Sequence, residues 1–147
     1  MKNIIHALLS CLLGVFFIYK GMDKMPIKLK EVTKQEIMET IVEKQSYEAP
    51  VGYKITMNTM RQSGFLRLIS CFQILAGILM IIPKTRMAGL LLLLPIIFNI
   101  FFMHVFFDNR LHENVETGII LSLNIILCAY YYKDIMKILW RNNQIQE

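Results

Sequence analysis

Cysteine and histidine are scarce in this chain, three of each in 147 residues. Cys11, Cys71 and Cys128 stand far apart inside apolar runs, with no CxxC and no Cys/His cluster. That spacing supports neither a zinc site nor a dithiol relay, and leaves the thiols as small packing groups. A nucleophile elbow, a phosphate-binding loop and a metalloprotease motif are missing as well. Residue chemistry alone therefore names no reaction.

Charge is missing over one long stretch. Residues 87–107, MAGLLLLLPIIFNIFFMHVFF, contain no charged group in 21 positions and are bracketed by Lys84 and Arg86, then Asp108 and Arg110. At 1.5 Å per residue the stretch is about 31 Å long, the thickness of a bilayer's hydrocarbon core. A soluble core helix of this length would show a polar face, and here only Asn99 and His104 interrupt the apolar run. Each unpaired amide in hydrocarbon costs several kcal/mol, so the segment must be helical. Hydrophobic residues make up 55% of the chain, and its net charge is +5. The basic residues sit mostly at the ends of apolar runs, where they meet lipid headgroups. The expected partner is thus the lipid bilayer and not nucleic acid.

Three further runs flank this one. The first, 4–19, follows Lys2 and closes at Lys20-Gly21. A basic start before an apolar stretch also describes a signal peptide, but the run continues well past Cys11 with no small-x-small site before Lys20. A retained helix is expected. Its Ala7, Ser10, Cys11 and Gly14 form a small-residue stripe that lets another helix approach closely. The second run, 64–82, carries Arg67 and Gln73, offers Ala76-Gly77 as a close-packing point, and ends at Pro83-Lys84. So few residues separate it from residue 87 that the two runs must form an antiparallel hairpin. Pro95 predicts a bend in the third run. The fourth, 115–132, ends in Tyr130-Tyr131-Tyr132, which with Trp140 makes an interfacial aromatic belt.

Between the first two runs lies a polar loop. Over 33–48, Ile37, Ile41 and Val42 share one face of an expected amphipathic helix, with Glu and Lys opposite. It would lie on the bundle rim or membrane surface, or dock a partner protein. The whole chain, 1–147, reads as a single all-α domain: an integral membrane four-helix bundle with a polar, partly helical first loop. Four spans put both termini on one side. With that side inside, Lys2, Lys84, Arg86, Lys133, Lys137 and Arg141 are cytoplasmic, in accord with the positive-inside rule, although the basic first loop opposes it.

The antiparallel arrangement assigns depths to polar residues. Gln73, Asn99 and Asn124 each fall roughly 12–14 Å from the outer ends of their spans. Such amides either hydrogen-bond across the bundle and set its register, or line a midplane pocket for a small ligand. A second cluster gathers at the outer rim: Arg67, His104, Asp108, His112, Glu113 and Glu116. His104 and Asp108 are four apart, as are His112 and Glu116, so each pair shares a helical face. These groups suit a solvated loop with an Arg67–Glu116 ion pair, or a proton relay or quinone headgroup site. Their spacing matches no metal-ligand motif.

Gly21-Met-Asp-Lys24-Met after the first run, Gln73-Ile-Leu-Ala-Gly77-Ile-Leu in the second, Pro83-Lys-Thr-Arg86 in the hairpin and His104 near the end of the third run form one pattern. It resembles the DoxX family of small four-helix bacterial membrane proteins. The resemblance covers nearly the whole chain apart from the first loop. It implies a multi-pass protein of the bacterial cytoplasmic (inner) membrane, with some relatives serving as subunits of quinone-linked oxidoreductases. Where the family often has a glutamate in the second span, this chain has Gln73, which removes a titratable group.

The expected function is an accessory, non-catalytic subunit of a redox complex. It would hold a quinone or similar small hydrophobic ligand between helices, with Gln73, Asn99, His104 and Asn124 near the ligand and Arg67 and Glu116 at the outer mouth. The alternative is a membrane scaffold docking a partner through the first loop. A transporter is weaker for a chain of four spans without a clear repeat, unless it forms a homo-oligomer.

Overall fold

The computed structural model describes residues 2–25, 35 and 50–140. Helices are the regular structure throughout these residues: α1 (Lys2–Lys24), α2 (Val51–Gln62), α3 (Phe65–Ile81), α4 (Arg86–Met103), α5 (Leu111–Ala129) and α6 (Tyr132–Leu139). One π-helical turn, His104–Asp108, prolongs α4. The amphipathic helix expected over 33–48 lies, apart from residue 35, outside the described residues. Two stretches, Asn3–Lys24 and Arg86–Asp108, are long and apolar enough to cross a membrane. The number rises to four if α2 with α3, and α5 with α6, each make one bent span.

A common core draws on all four long helices: Leu13 and Phe17 from α1, Met80 from α3, Leu90 and Leu93 from α4, Leu121 from α5. Outward, α1 exposes Ile4, Leu8, Leu12 and Val15, and α3 exposes Leu68, Phe72 and Leu75. An apolar exterior around an apolar core is what a lipid solvent permits and water does not.

Two glycines set the closest approach. A Cβ at Gly14 of α1 would stand 2.8 Å from the Gly77 carbonyl oxygen of α3, and one at Gly77 would stand 2.5 Å from the Gly14 carbonyl oxygen. The obstruction is backbone on both sides, so no side chain can swing away. The small-residue stripe of α1 and the Ala76-Gly77 point of α3 therefore meet each other. Gly21 is also buried on α3, near Ile74 and the Ser70 carbonyl. This contact explains why α1 runs on to Lys24 instead of stopping near residue 19. Packing outweighs the modest helix cost of a glycine.

The hairpin between α3 and α4 is held by side chains that serve the α3 terminus. Arg86 is buried and donates from Nε to the Met80 carbonyl at 3.0 Å. Thr85 Oγ1 donates to the Leu79 carbonyl at 3.0 Å. These are carbonyls that the end of a helix leaves without a partner. Arg86 is thus more than a positive charge at the end of an apolar run. Beyond it, α4 is a single helix through Pro95.

Other boundaries also differ from expectation. Residues 51–62 form α2, where the sequence reading has polar loop. Pro50 precedes it with φ −52°, and Tyr53, Met57 and Met60 recur at helical spacing beneath its polar residues. Gly64, at φ 77°, then turns the chain by 76° into α3. The fourth run starts earlier, at Leu111, and the chain bends by 70° between Ala129 and Tyr132 before α6.

Replacing Gly77 with Ala should loosen the α1–α3 contact by about 1–3 kcal/mol, the usual cost of overpacking. Thermal unfolding of the detergent-solubilised protein measures this. A melting point equal to wild type would show that the backbones can separate without penalty.

Candidate functional site

A cavity of about 210 Å³ lies between α1, α3, α4 and α5, at the end marked by the π turn. Phe16, Phe17, Ile97, Ile100 and Ile120 form its apolar walls. Its polar groups are Lys20, Lys24, Gln73, His104, Glu116 and Thr117, with Glu113 beside them. Gln73 is 1% exposed, and its Oε1 has no hydrogen-bond partner among the described residues. A buried amide oxygen left unpaired costs about 1–3 kcal/mol.

The π turn shapes one wall. The Asn109 N–H reaches back to the His104 carbonyl at 2.6 Å, while Asn109 itself takes φ 52°, a conformation asparagine tolerates. The Asp108 side chain is fully buried. Its Oδ2 accepts from His104 Nδ1 at 3.0 Å and from Arg110 Nε at 2.8 Å. Because a carboxylate can only accept, the His104 proton sits on Nδ1, and in the neutral ring Nε2 is left as an acceptor. Arg110 continues the chain of charges to Glu113 at 3.3 Å, and His112 Nε2 meets the same carboxylate at 3.4 Å. This ion-pair row runs from the cavity wall to the surface.

Tyr53 of α2 stands over the turn, its ring centroid 6.4 Å from that of His104. Partial burial, and then the nearby Asp108 carboxylate, raise the phenol's pKa, so it stays protonated at neutral pH. Lys20 places its ammonium 5.6 Å from the Phe16 ring centroid, which holds a cation at the cavity edge.

Of the six residues that sequence reasoning selected, Gln73, His104 and Glu116 share this cavity. Asn99 does not. It faces outward and donates to the Pro95 carbonyl one turn below at 2.8 Å, lining a separate groove between α3 and α4. Asn124 is fully buried but belongs to another neighbourhood, where its Oδ1 accepts from the Cys128 thiol at 3.7 Å. Arg67 is half-buried on α3 and is not part of the cavity wall. His112 pairs with the adjacent Glu113 instead of sharing a contact with Glu116. The sequence reading gave Lys20, Lys24, Thr117 and Tyr53 no part in a ligand site. For the lysines a signal was their spacing of one helical turn, on the same side of α1 as Phe17.

Among the described residues, no group of three or more His, Cys, Asp or Glu is arranged to hold a metal ion. No family model, curated protein or solved structure matches this chain. The geometry must carry the functional argument.

Asp108→Asn removes the one anion to which both His104 and Arg110 are drawn here. Breaking such a buried pair should destabilise the protein by about 2–4 kcal/mol, while Glu116→Gln at the exposed rim should change stability by less than about 1 kcal/mol. Parallel melting curves test the contrast. Equal effects would mean that the buried Asp108 contacts are not what holds the turn.

Proposed function

We propose that this protein is a four-span bacterial inner-membrane protein with α1, α3, α4 and α5 crossing the bilayer. In this reading α2 and α6 lie along the two membrane faces, and the ends of the chain are cytoplasmic. The support is physical. The four helices are apolar outside as well as inside, and the 76° and 70° bends turn the more polar α2 and α6 away from the spanning directions. Tyr132, Lys133, Lys137 and Trp140 are exposed on or beside α6, a composition suited to the headgroup layer.

The function the site supports best is the binding of a small hydrophobic ligand with a polar end, within a quinone-linked redox system. The protein would serve as an accessory subunit, as the likeness to DoxX proteins suggests. The observation that carries this reading is the unpartnered, buried Gln73 Oε1 in the wall of a cavity shared with His104 and Glu116. Asn124 is equally buried, its Nδ2 also unpartnered among the described residues, but Gln73 alone of the two lines a cavity shared with ionisable groups. Leucine at position 73 would have filled the same space without an amide to satisfy.

Chromatography and mass spectrometry of material copurifying from native membranes tests this. Wild type is expected to retain a redox-active lipid, and Gln73→Leu to lose at least about tenfold of it at unchanged melting temperature. Asn124→Leu should retain it. Equal retention in the Gln73 variant, or none in wild type, would remove the redox-ligand reading.

A further inference from the structure

We infer that the cavity is loaded sideways from the bilayer by a neutral single-chain amphiphile whose head group donates a hydrogen bond, its tail resting in the groove between α3 and α4. This rests on the reading of the cavity as a ligand site, and adds the route and the class of ligand.

The route follows from shared walls. A smaller space of about 150 Å³ beneath α2 adjoins the polar cavity through Lys24, Ile100 and His104. The same space adjoins a third, of about 480 Å³, through Met60, Ile69, Ile100 and Met103. That third space is the groove between α3 and α4. Its walls include Phe65, Leu68 and Phe72, all exposed on the outer face of α3, and Pro95 and Asn99 of α4. Ile100 borders all three spaces. From Pro95 to Met103 the groove follows α4 for about 12 Å, from mid-helix to the π turn. A tail lying there faces the same medium as the lipid-facing side chains, and the head it carries arrives at the polar cavity without crossing water.

The head's chemistry follows from what waits for it. Gln73 Oε1 is an acceptor with no partner among the described residues, so it needs a donor. The cavity wall carries Lys20 and Lys24 against Glu113 and Glu116, two charges of each sign, so no net field favours an ionic head. A hydroxyl fits. The tail gains little apolar transfer energy, since it leaves one hydrocarbon environment for another. It acts by keeping the ligand in the bilayer, and selectivity lies in the head.

Lipid nanodiscs containing the full chain, doped with 4-dodecylphenol or with 4-dodecylanisole, which lacks the donor, provide the test, read by native mass spectrometry. Wild type should carry the phenol at least about tenfold more than the anisole, the loss expected for one buried hydrogen bond. Leu68→Trp and Met103→Trp, which narrow the groove, should lower dodecylphenol occupancy by about tenfold, yet bind tail-less phenol as wild type does. Leu68 is exposed, so its variant keeps the test standing if Met103→Trp does not fold. Equal occupancy by phenol and anisole would overturn the head assignment. Full dodecylphenol binding by Leu68→Trp would overturn the sideways route while the cavity stands, provided that Gln73→Leu abolishes binding of phenol itself. If Gln73→Leu binds phenol normally, the cavity is not the ligand site and both readings fall together.

Discussion

The arrangement depends first on how close α1 can come to α3. Gly14 and Gly77 face each other with no room for a Cβ on either, so the two backbones touch. In lipid the driving force for such a contact is packing and not water release, because lipid tails are as apolar as leucine. Close approach multiplies dispersion contacts along the remaining length, and Gly21 extends the contact toward Ser70 and Ile74. The consequence appears one turn further along. Phe17, Lys20 and Lys24 come to stand near Gln73, and the polar cavity acquires its fourth wall. A bulkier pair at the crossing would move these side chains outward and open the cavity to lipid.

At the same end, the π turn makes the opposite wall. A regular α-helix continued through 104–108 would rotate Asp108 by a different amount relative to His104. The additional residue in the turn buries Asp108 while keeping His104 at the cavity edge. Such turns cost hydrogen-bond geometry and recur at functional positions. Here Arg110 and His104 compensate for the buried carboxylate, and Tyr53 covers it from α2. An arginine and a tyrosine from elements flanking the apolar helices thus stabilise a charge placed at their margin. Few other locations in the chain would tolerate one.

How much of this was legible in the sequence depends on which coordinate a pattern encodes. Small residues at three- and four-residue spacing encode a helix face, and Gly14 and Gly77 were readable as close-packing points for that reason. Apolar run length encodes extent along a helix axis, and it located the four long helices to within a turn or so. Depth carries no azimuth, however. Gln73, Asn99 and Asn124 sit at similar depths by count, yet one faces the cavity, one the outer groove and one a separate buried contact. Rotation about each helix axis is settled by the crossings, and no single helix encodes these. α2 was hidden for a different reason. Its Tyr53, Met57 and Met60 are periodic, but they lie under polar neighbours that resemble a loop in composition. Charge counting likewise carries no hint that Arg86 is buried and donates from Nε to the Met80 carbonyl near the end of α3.

Gln73 illustrates what an apolar surround does to such choices. A glutamate there would titrate, and its charged form would have to find a cation or keep its proton at a cost set by burial. Glutamine keeps two donors and two acceptor sites at fixed charge, so the cavity's demand does not change with pH at this position. Lys20, Lys24, Glu113, Glu116 and His104 remain around it as the groups able to move protons. The chemistry left to the cavity is then recognition by an uncharged amide at the buried end and ionisable groups toward the rim. Such an ordering suits a ligand held by its polar head at the buried end, while the ion-paired row of His104, Asp108, Arg110 and Glu113 fixes the wall beside it.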